Sequence, residues 1–171
     1  MQQIDIFKKL ESEKHLQIRK ATSTDMDLLF KWVNDPDERK NAVNSSLISY
    51  KEHCLWFSKK ITSENTYIWI LEQSGIPTGQ IRFDIDNNIA TLSYFIDREY
   101  RRKGFGLAIV RLGIERVKIN NLVIRAIVRK QNIASCKIFE YLNFNKVVMD
   151  NDFVEYLKYE DTKIIKNNNG K

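Results

Sequence analysis

One segment constrains the fold of this chain more than any other, a glycine-containing loop between a predicted strand and a predicted helix. Its sequence is Arg101-Arg-Lys-Gly-Phe-Gly106, and an apolar run begins directly after it at Leu107. Glycine lets backbone N–H groups turn inward with no Cβ in the way, and a helix N-terminus carries about half a positive charge. Three cationic side chains precede the glycines. This combination predicts a site for a ligand that bears a pyrophosphate.

The size and composition of the chain predict one globular domain. With 171 residues, of which 43% are hydrophobic and 29% charged, it is long enough for a single core. We expect a short lead-in at residues 1–15, one domain at 16–162 and a disordered Lys- and Asn-rich tail at 163–171. The net charge of +6 favours anionic partners such as nucleotides.

Several features of the chain limit its class and location. No apolar run approaches the length of about 20 residues that a membrane helix needs, and residues 1–15 lack the apolar centre of a signal peptide. Cys54 and Cys136 lack metal-ligand spacing, so we expect free buried thiols and no metal site. These features predict a cytoplasmic protein with no membrane partner.

Hydrophobic periodicity predicts a mixed α/β sheet. The predicted strands are Leu16–Ala21, Thr66–Glu72, Gln80–Asp86, Ala90–Asp97, Leu122–Val128, Lys146–Met149 and Phe153–Tyr159. The predicted helices are Ser23–Val33, Ser49–Thr62, Gly106–Asn120 and Ile133–Leu142. Turn signals at 75–79 and 86–88 indicate hairpins. The strand–loop–helix–strand unit around the glycine loop predicts one parallel pair, so we expect antiparallel hairpins around a central parallel strand pair, flanked by about four helices.

Two common phosphate-binding loops do not fit the glycine loop. A P-loop requires Lys-Ser or Lys-Thr after its glycines, and neither dipeptide follows here. A dinucleotide-binding fingerprint requires a third glycine where this chain has Ile109. The pattern that remains is Arg-x-x-Gly-x-Gly.

Two segments resemble the GNAT superfamily of N-acetyltransferases. The segment Tyr100-Arg-Arg-Lys-Gly-Phe-Gly106 resembles its acetyl-CoA loop, and Asn132-Ile-Ala-Ser-Cys-Lys-Ile-Phe-Glu-Tyr-Leu-Asn-Phe144 resembles its second motif. Together with their spacing, these motifs cover residues 90–144, and the predicted order of elements agrees with a GNAT-like fold.

The resemblance implies which residues bind acetyl-CoA as the co-substrate. Backbone N–H groups from Arg102 to Leu107 would hold the pyrophosphate, and the strand backbone at Phe95 and Ile96 would pair with pantetheine. The full set is Phe95, Ile96, Arg101, Arg102, Lys103, Gly104, Phe105, Gly106, Leu107, Asn132, Ser135 and Phe139. For Asn132 and Ser135 a purely structural role at the start of the last helix stays open.

The residues leave several candidates for the groups that transfer protons. Phe139 stands where the superfamily often has the Tyr that protonates the leaving thiolate, so Ser135, Tyr94 or a water is the expected donor. Candidates for the general base that deprotonates the amine are His53, Glu52, Glu72, Asp84 and Ser93. His53 has the most suitable ordinary pKa, whereas Glu52 also fits a capping box with Ser49 and Asp84 a surface pair with Arg82.

The first half of the chain is expected to recognise the acceptor. Its stretch Trp32-Val-Asn-Asp-Pro-Asp-Glu-Arg39 resembles both protein acetyltransferases of the RimJ/RimL type and acetyltransferases of nucleotide-linked amino sugars. Segments 48–57 and 79–84 favour the enzymes that acetylate the 4-amino group of UDP-linked deoxy-amino sugars in pseudaminic or related nonulosonate synthesis. The predicted acceptor-binding residues are Trp32, Asn34, Arg39, Trp56 and Arg82.

The expected function is therefore direct acetyl transfer from acetyl-CoA to the amine of a sugar nucleotide, by a monomer or homodimer. Acetylation of protein N-termini and a CoA-binding module without catalysis are the alternatives. No nucleic-acid-binding motif occurs in the sequence, so we expect no nucleic-acid partner.

Overall fold

The computed structural model describes residues 15–117 and 122–159. The strands of this part are β1 Leu16–Lys20, β2 Thr66–Gln73, β3 Ile76–Asp86, β4 Ile89–Ile96, β5 Val123–Arg129, β6 Asn145–Val148 and β7 Phe153–Tyr159. Its helices are α1 Met26–Val33, α2 Pro36–Asn41, α3 Tyr50–Ile61, α4 Phe105–Arg116 and α5 Ile133–Tyr141. Short 3₁₀ turns occur at Ser23–Asp25 and Arg98–Tyr100.

The strands form one sheet in the order β1-β2-β3-β4-β5-β7-β6. Five neighbouring pairs are antiparallel, and β4 and β5 are parallel. This arrangement confirms the predicted fold class, including the single parallel pair around the glycine loop.

The parallel pair is short. Residues 89–91 of β4 pair with 123–125 of β5, and within the described residues no further pairs join these strands. The remainder of β4 keeps its pairing with β3 as far as Ile96. The sheet therefore divides after Thr91, with the glycine loop at the open end.

Hydrophobic residues cover both faces of the sheet. On one face, Ile81 and Phe83 of β3 pack near α4, where they would contact a Cβ added at Gly113. On the other face, the α1 residues Leu29 and Trp32 join Phe57 of α3 in a second cluster. Because side chains alternate along a strand, Gln80 and Arg82 face the second side, toward α1 and α3.

The region between α1 and α3 differs most from the prediction. The first helix begins at Met26, because Ser23–Asp25 forms a 3₁₀ turn in which the Asp25 carboxylate accepts the Thr22 N–H at 2.7 Å. The sequence Asn34-Asp35-Pro36 is typical of a helix end followed by a turn, yet Pro36 also starts the short helix α2. Asp35 caps it by accepting the N–H groups of Asp37 and Glu38.

Other predicted boundaries shift slightly. The first hairpin turns at Ser74 and Gly75, both with positive φ, so Gly79 lies inside β3. Helix α4, predicted to reach Asn120, ends at Arg116, and residues 118–121 lie outside the described part. The expected lead-in and tail also lie outside it, except for His15.

No helix within residues 15–117 and 122–159 is both long and apolar enough to cross a membrane.

The sequence suggested that Trp32 contacts the acceptor, but in the structure Trp32 is a core residue. Its side chain is 2% exposed, its ring centroid is 5.6 Å from that of Phe95, and Nε1 donates to Asp97 Oδ2 at 2.9 Å. Asp97 Oδ1 also accepts the Glu99 N–H, so this bond links α1 to the turn that leads into the glycine loop.

We expect Trp32→Phe to lower the free energy of unfolding by about 1–3 kcal/mol, because it leaves one oxygen of the partly buried Asp97 without its donor. Urea unfolding measures this loss. The matched control is Tyr50→Phe, which also removes one aromatic donor, here to Asp27 Oδ1, but at an exposed position. Its unfolding midpoint should equal that of the wild type. Equal midpoints for all three proteins would contradict the structural role of Trp32.

Candidate active site

A first cavity of about 370 Å³ lies where β4 and β5 separate, and we call it the CoA slot. It is lined by the end of β4, the glycine loop, the start of α4, one side of α5 and part of α2. The lining residues are Asp37, Glu38, Asn41, Tyr94, Phe95, Ile96, Arg101, Arg102, Gly104, Gly106, Leu107, Asn132, Ala134, Ser135 and Ile138. Most of the predicted acetyl-CoA-binding residues therefore border one cavity.

Two glycines give the slot its shape. Gly104, the N-cap of α4, has φ 84°, which is strained for any residue with a Cβ. A Cβ at Gly106 would lie 2.9 Å from Ile138 Cδ1 and 3.5 Å from Tyr94 Cε2, so a side chain would narrow the slot there. The α4 N-terminus opens into this space, where its backbone N–H groups suit a pyrophosphate. The residues present thus fit the CoA moiety.

The three cations of the loop do not act alike. Arg102 lines the slot, whereas Lys103 lies with Nζ 5.6 Å from the ring centroid of Tyr100. Arg101 borders the slot, but its guanidinium donates to Asp37 at 2.6 Å and to Asp35 at 3.1 Å. Arg101 therefore attaches α2 to the end of β4 while it borders the slot.

Two of the predicted cofactor contacts are mainly core side chains. Phe105 is 2% exposed and packs near Tyr100, so any contact with CoA would come from its backbone. Phe139 is 1% exposed, with its ring centroid 5.3 Å from that of Tyr156. Only its edge reaches a cavity wall.

The start of α5 carries the polar groups of the slot. Asn132 Oδ1 accepts the Ser135 N–H at 3.2 Å, so Asn132 is the N-cap and also lines the slot. The Ser135 hydroxyl is 2.8 Å from the Tyr94 hydroxyl. This hydrogen bond joins β4 to α5. Burial raises the pKa of Tyr94 to about 12, so its hydroxyl is protonated at neutral pH.

A second cavity of about 430 Å³ adjoins the slot on the α1–α3 side, and we call it the acceptor cavity. It shares five residues with the slot, namely Glu38, Asn41, Tyr94, Asn132 and Ser135. An amine in one cavity and a thioester in the other would meet at these residues.

Cationic, amide and aromatic side chains line the acceptor cavity. Arg82 forms an ion pair with Asp84 at 2.8 Å, and its guanidinium lies 5.0 Å from the ring centroid of Trp56. Gln80 Oε1 is buried and has no hydrogen-bond partner among the described residues. Ser93 also faces this cavity. Arg82, Trp56 and Ser93 were predicted from sequence, whereas Gln80 was missed although strand alternation places it on the face of Arg82.

Residues 42–48 form a loop over the acceptor cavity, and main-chain bonds hold it. Arg39 Nη1 donates to Asn44 O at 3.2 Å and to Ser46 O at 3.3 Å. Arg129 Nη2 donates to Ala42 O at 3.1 Å. The Asn34 amide accepts from Ile48 N and donates to Ile48 O, both at 2.9 Å. Asn34 therefore holds the loop and is absent from both cavity walls, contrary to its predicted contact with the acceptor.

Most of the predicted bases are committed elsewhere. Glu52 accepts the backbone N–H and the hydroxyl of Ser49, which lowers its pKa and caps α3. Burial alone would raise the pKa of Asp84, but Arg82 and Lys60 outweigh it and hold that pKa below its usual value. Glu72 pairs with Arg19 at 2.6 Å. None of these carboxylates lines either cavity.

His53 also lacks the position of a base. It borders the acceptor cavity but not the CoA slot, and it is 2% exposed. Its Nε2 lies 3.0 Å from Met26 O, where a ring nitrogen must donate, and burial lowers its pKa. The imidazole is therefore neutral and joins α3 to α1.

Sequence reasoning missed one titratable group at the junction of the cavities, the Glu38 carboxyl. Burial raises its pKa above the usual value, while the charges of Arg39 and Arg101 oppose that rise. The Asp-Pro start of α2 was the available signal, since it fits a capped helix as well as a turn.

The family of the chain follows from comparison with known proteins. Residues 15–145 match the model of the acetyltransferase (GNAT) domain. The chain is 30% identical over 152 residues to acetyltransferase PseH of Campylobacter jejuni, covering 84% of this chain and 92% of that protein.

Two solved structures share the fold. Spermidine N-acetyltransferase of Vibrio cholerae, in complex with CoA and spermine, has a TM-score of 0.74 at 15% identity, over 84% of this chain and 95% of that one. A phosphinothricin acetyltransferase of Sinorhizobium meliloti, in complex with acetyl-CoA, has a TM-score of 0.72 at 16% identity, over 85% and 89%.

The chain belongs to the GNAT acetyltransferase family. It is an N-acetyltransferase with acetyl-CoA as its co-substrate.

The glycine loop yields a direct test of the CoA slot. We expect Gly104→Ala to raise the Kd for acetyl-CoA about tenfold or more, because a Cβ at φ 84° strains the loop and turns its N–H groups away. Isothermal titration calorimetry measures the change. Gly75→Ala is the matched control: its φ is 82°, but it lies in the β2–β3 turn, so it should share the stability loss and keep acetyl-CoA affinity. Equal affinity of both variants would contradict the loop assignment.

Proposed function

We propose that the acceptor is the 4-amino group of a nucleotide-linked deoxy-amino sugar, most simply a UDP-sugar. The observation that carries the proposal is the acceptor cavity, which combines arginines, an aromatic ring and amide groups and shares Tyr94 with the CoA slot. Its volume of about 430 Å³ suits a small molecule. The resemblance of segments 48–57 and 79–84 to amino-sugar acetyltransferases agrees with it.

The charges of the cavity support an acceptor that is anionic away from its amine. Arg39, Arg82 and Arg129 line the wall, and the part of the chain that the structure describes contributes one carboxylate to it, Glu38. Arginine suits a diphosphate because its planar fork donates two parallel hydrogen bonds. A polycationic acceptor would be repelled by the same wall. The Trp56 ring offers a face for a uracil or for the apolar side of a deoxy-sugar.

The mechanism is direct attack by the neutral amine on the thioester, without an acyl-enzyme. The Tyr94 hydroxyl, with its pKa raised to about 12, stays protonated and serves as the proton donor to the CoA thiolate. Ser135 orients that hydroxyl at 2.8 Å. Tyr94 thus takes the role that Phe139 lacks the hydroxyl to perform.

A thiol-release assay tests the substrate class. Acetyl-CoA is supplied with a panel of amines, namely UDP-4-amino-sugars, peptides with free N-termini and spermine. We expect the best UDP-sugar to exceed every peptide and spermine by about 100-fold or more in kcat/KM, because only it engages the arginine wall. A peptide as the best substrate would refute the sugar-nucleotide proposal in favour of protein acetylation.

A pair of reciprocal variants tests the division into two cavities. We expect Arg82→Gln to raise the acceptor KM about tenfold with an acetyl-CoA KM within about twofold, because it removes a charge from the acceptor wall alone. Arg102→Gln, at the slot, should give the opposite pattern. Steady-state kinetics with each substrate varied in turn separates these effects, and equal changes in both KM values for Arg82→Gln would count against the assignment.

A further inference from the structure

Five residues border both cavities, and acetyl transfer requires the amine and the thioester to meet beside them. Asn41, Asn132, Tyr94 and Ser135 are not proton acceptors at neutral pH. Glu38 is the fifth. We propose that its carboxylate is the general base that takes a proton from the ammonium group of the acceptor, directly or through one water. This inference rests on the proposed transfer of acetyl from the slot to an amine in the acceptor cavity.

The position of Glu38 is fixed by two devices at the start of α2. Asp35 Oδ1 accepts the N–H groups of Asp37 and Glu38 at 3.0 and 3.3 Å, which sets the first turn. Arg101 then bonds Asp35 and Asp37 while its Nε donates to Ile96 O at 2.9 Å. The helix is thus attached to the end of β4, beside the slot. Glu38 is the next residue of that turn, and it borders both cavities.

The surroundings of Glu38 are suited to reversible proton transfer. Burial raises its pKa above the ordinary value, and Asp35 adds to that rise. Arg39 on its own helix, Arg101 in the glycine loop and Arg82 on β3 oppose it. These arginines keep the carboxylate available as an anion, while the raised pKa makes it a stronger base than an exposed glutamate.

Glu38 also acts on the expected proton donor. Its charge is among the causes that raise the pKa of Tyr94, after burial, so the two groups face each other across the junction. A negative Glu38 favours a protonated Tyr94. Acetyl transfer needs an ionised base beside a neutral acid, and the mutual influence of Glu38 and Tyr94 favours that combination.

The protons balance over one cycle. Of the three protons on the ammonium, Glu38 takes the first and releases it to solvent through the acceptor cavity. The neutral nitrogen forms its bond to the thioester carbon, and the C–S bond breaks as the tetrahedral intermediate collapses. Tyr94 gives its hydroxyl proton to the thiolate and recovers the second proton from the nitrogen, through Ser135 or a water. The third proton stays on the amide product.

The test is Glu38→Gln, which keeps the shape of the side chain and removes its basicity. We expect kcat to fall about 100-fold or more, the acetyl-CoA Kd to stay within about twofold, and the acidic limb of the kcat/KM–pH profile to move toward the pKa of the acceptor's own ammonium group. Glu38→Asp should keep the acidic limb at a reduced rate. The control is Glu64→Gln, an exposed carboxyl outside both cavity linings, which should match the wild type.

A merely structural role for Glu38 predicts a different result. Because burial raises the pKa of Glu38, the free energy of unfolding falls as the pH rises from the ordinary glutamate pKa to the raised one. Glu38→Gln removes this ionisation, so its melting temperature at pH 8 should be no lower than that of the wild type. A kcat within about threefold of the wild type, or an unchanged acidic limb, would overturn the proposal. A fall in kcat together with a lower melting temperature of Glu38→Gln would also overturn the proposal.

The assay uses whichever amine of the panel the wild type acetylates fastest, so it separates this inference from the substrate proposal. If a peptide proves the best acceptor, the sugar-nucleotide proposal fails. The pH profile measured with that peptide still tests whether Glu38 is the general base.

Discussion

The active site depends on the early end of the parallel pairing between β4 and β5. Three residue pairs join these strands, and then β5 and α5 diverge while β4 continues along β3. A continuous sheet would leave no room beside Tyr94 and Ile96 for a second extended chain such as pantetheine. The hydrogen bond between Tyr94 and Ser135 joins β4 to α5 at 2.8 Å, so the separated halves remain connected at the place where the chemistry occurs. One interruption of the sheet thus supplies both the CoA slot and the position of Tyr94, the acid we propose.

The arginines divide their work between holding the protein together and meeting the ligand. Arg101, which the sequence suggested as a phosphate ligand, attaches α2 to the end of β4 through Asp35 and Asp37. By holding the start of α2, the Arg101 side chain helps to position Glu38 at the junction of the cavities. In the acceptor cavity, by contrast, Arg82 keeps its guanidinium at the wall, over Trp56, with Asp84 as a nearby counter-charge. Burial of this much charge is tolerable because each guanidinium has acidic or carbonyl partners close by.

The sequence predicted the CoA slot better than the acceptor cavity, and the reason is physical. The slot is built from local patterns: a positive φ needs Gly104, a helix start needs an N-cap such as Asn132, and both are visible within a few residues. The acceptor cavity combines side chains from α1, α2, α3, β3, β4 and β5, so no short segment reveals it. Trp32 illustrates the limit, because an aromatic residue on an amphipathic helix suits a core as well as a sugar site. Glu38 was missed because Asp35-Pro36 has the composition of a turn and of a helix start alike.

The loop over the acceptor cavity is held by its backbone, since Arg39, Arg129 and Asn34 bond only main-chain atoms of residues 42–48. Inside the loop, Asn44 Oδ1 also accepts the Ser46 N–H at 3.0 Å. Val43 and Ile48 line the cavity from this loop and are free to change without loss of those bonds. Selection can alter acceptor preference here one residue at a time while the CoA slot and the proton-transfer groups stay as they are. The same arrangement makes the loop the natural place to diversify in a library that seeks acetylation of new amines.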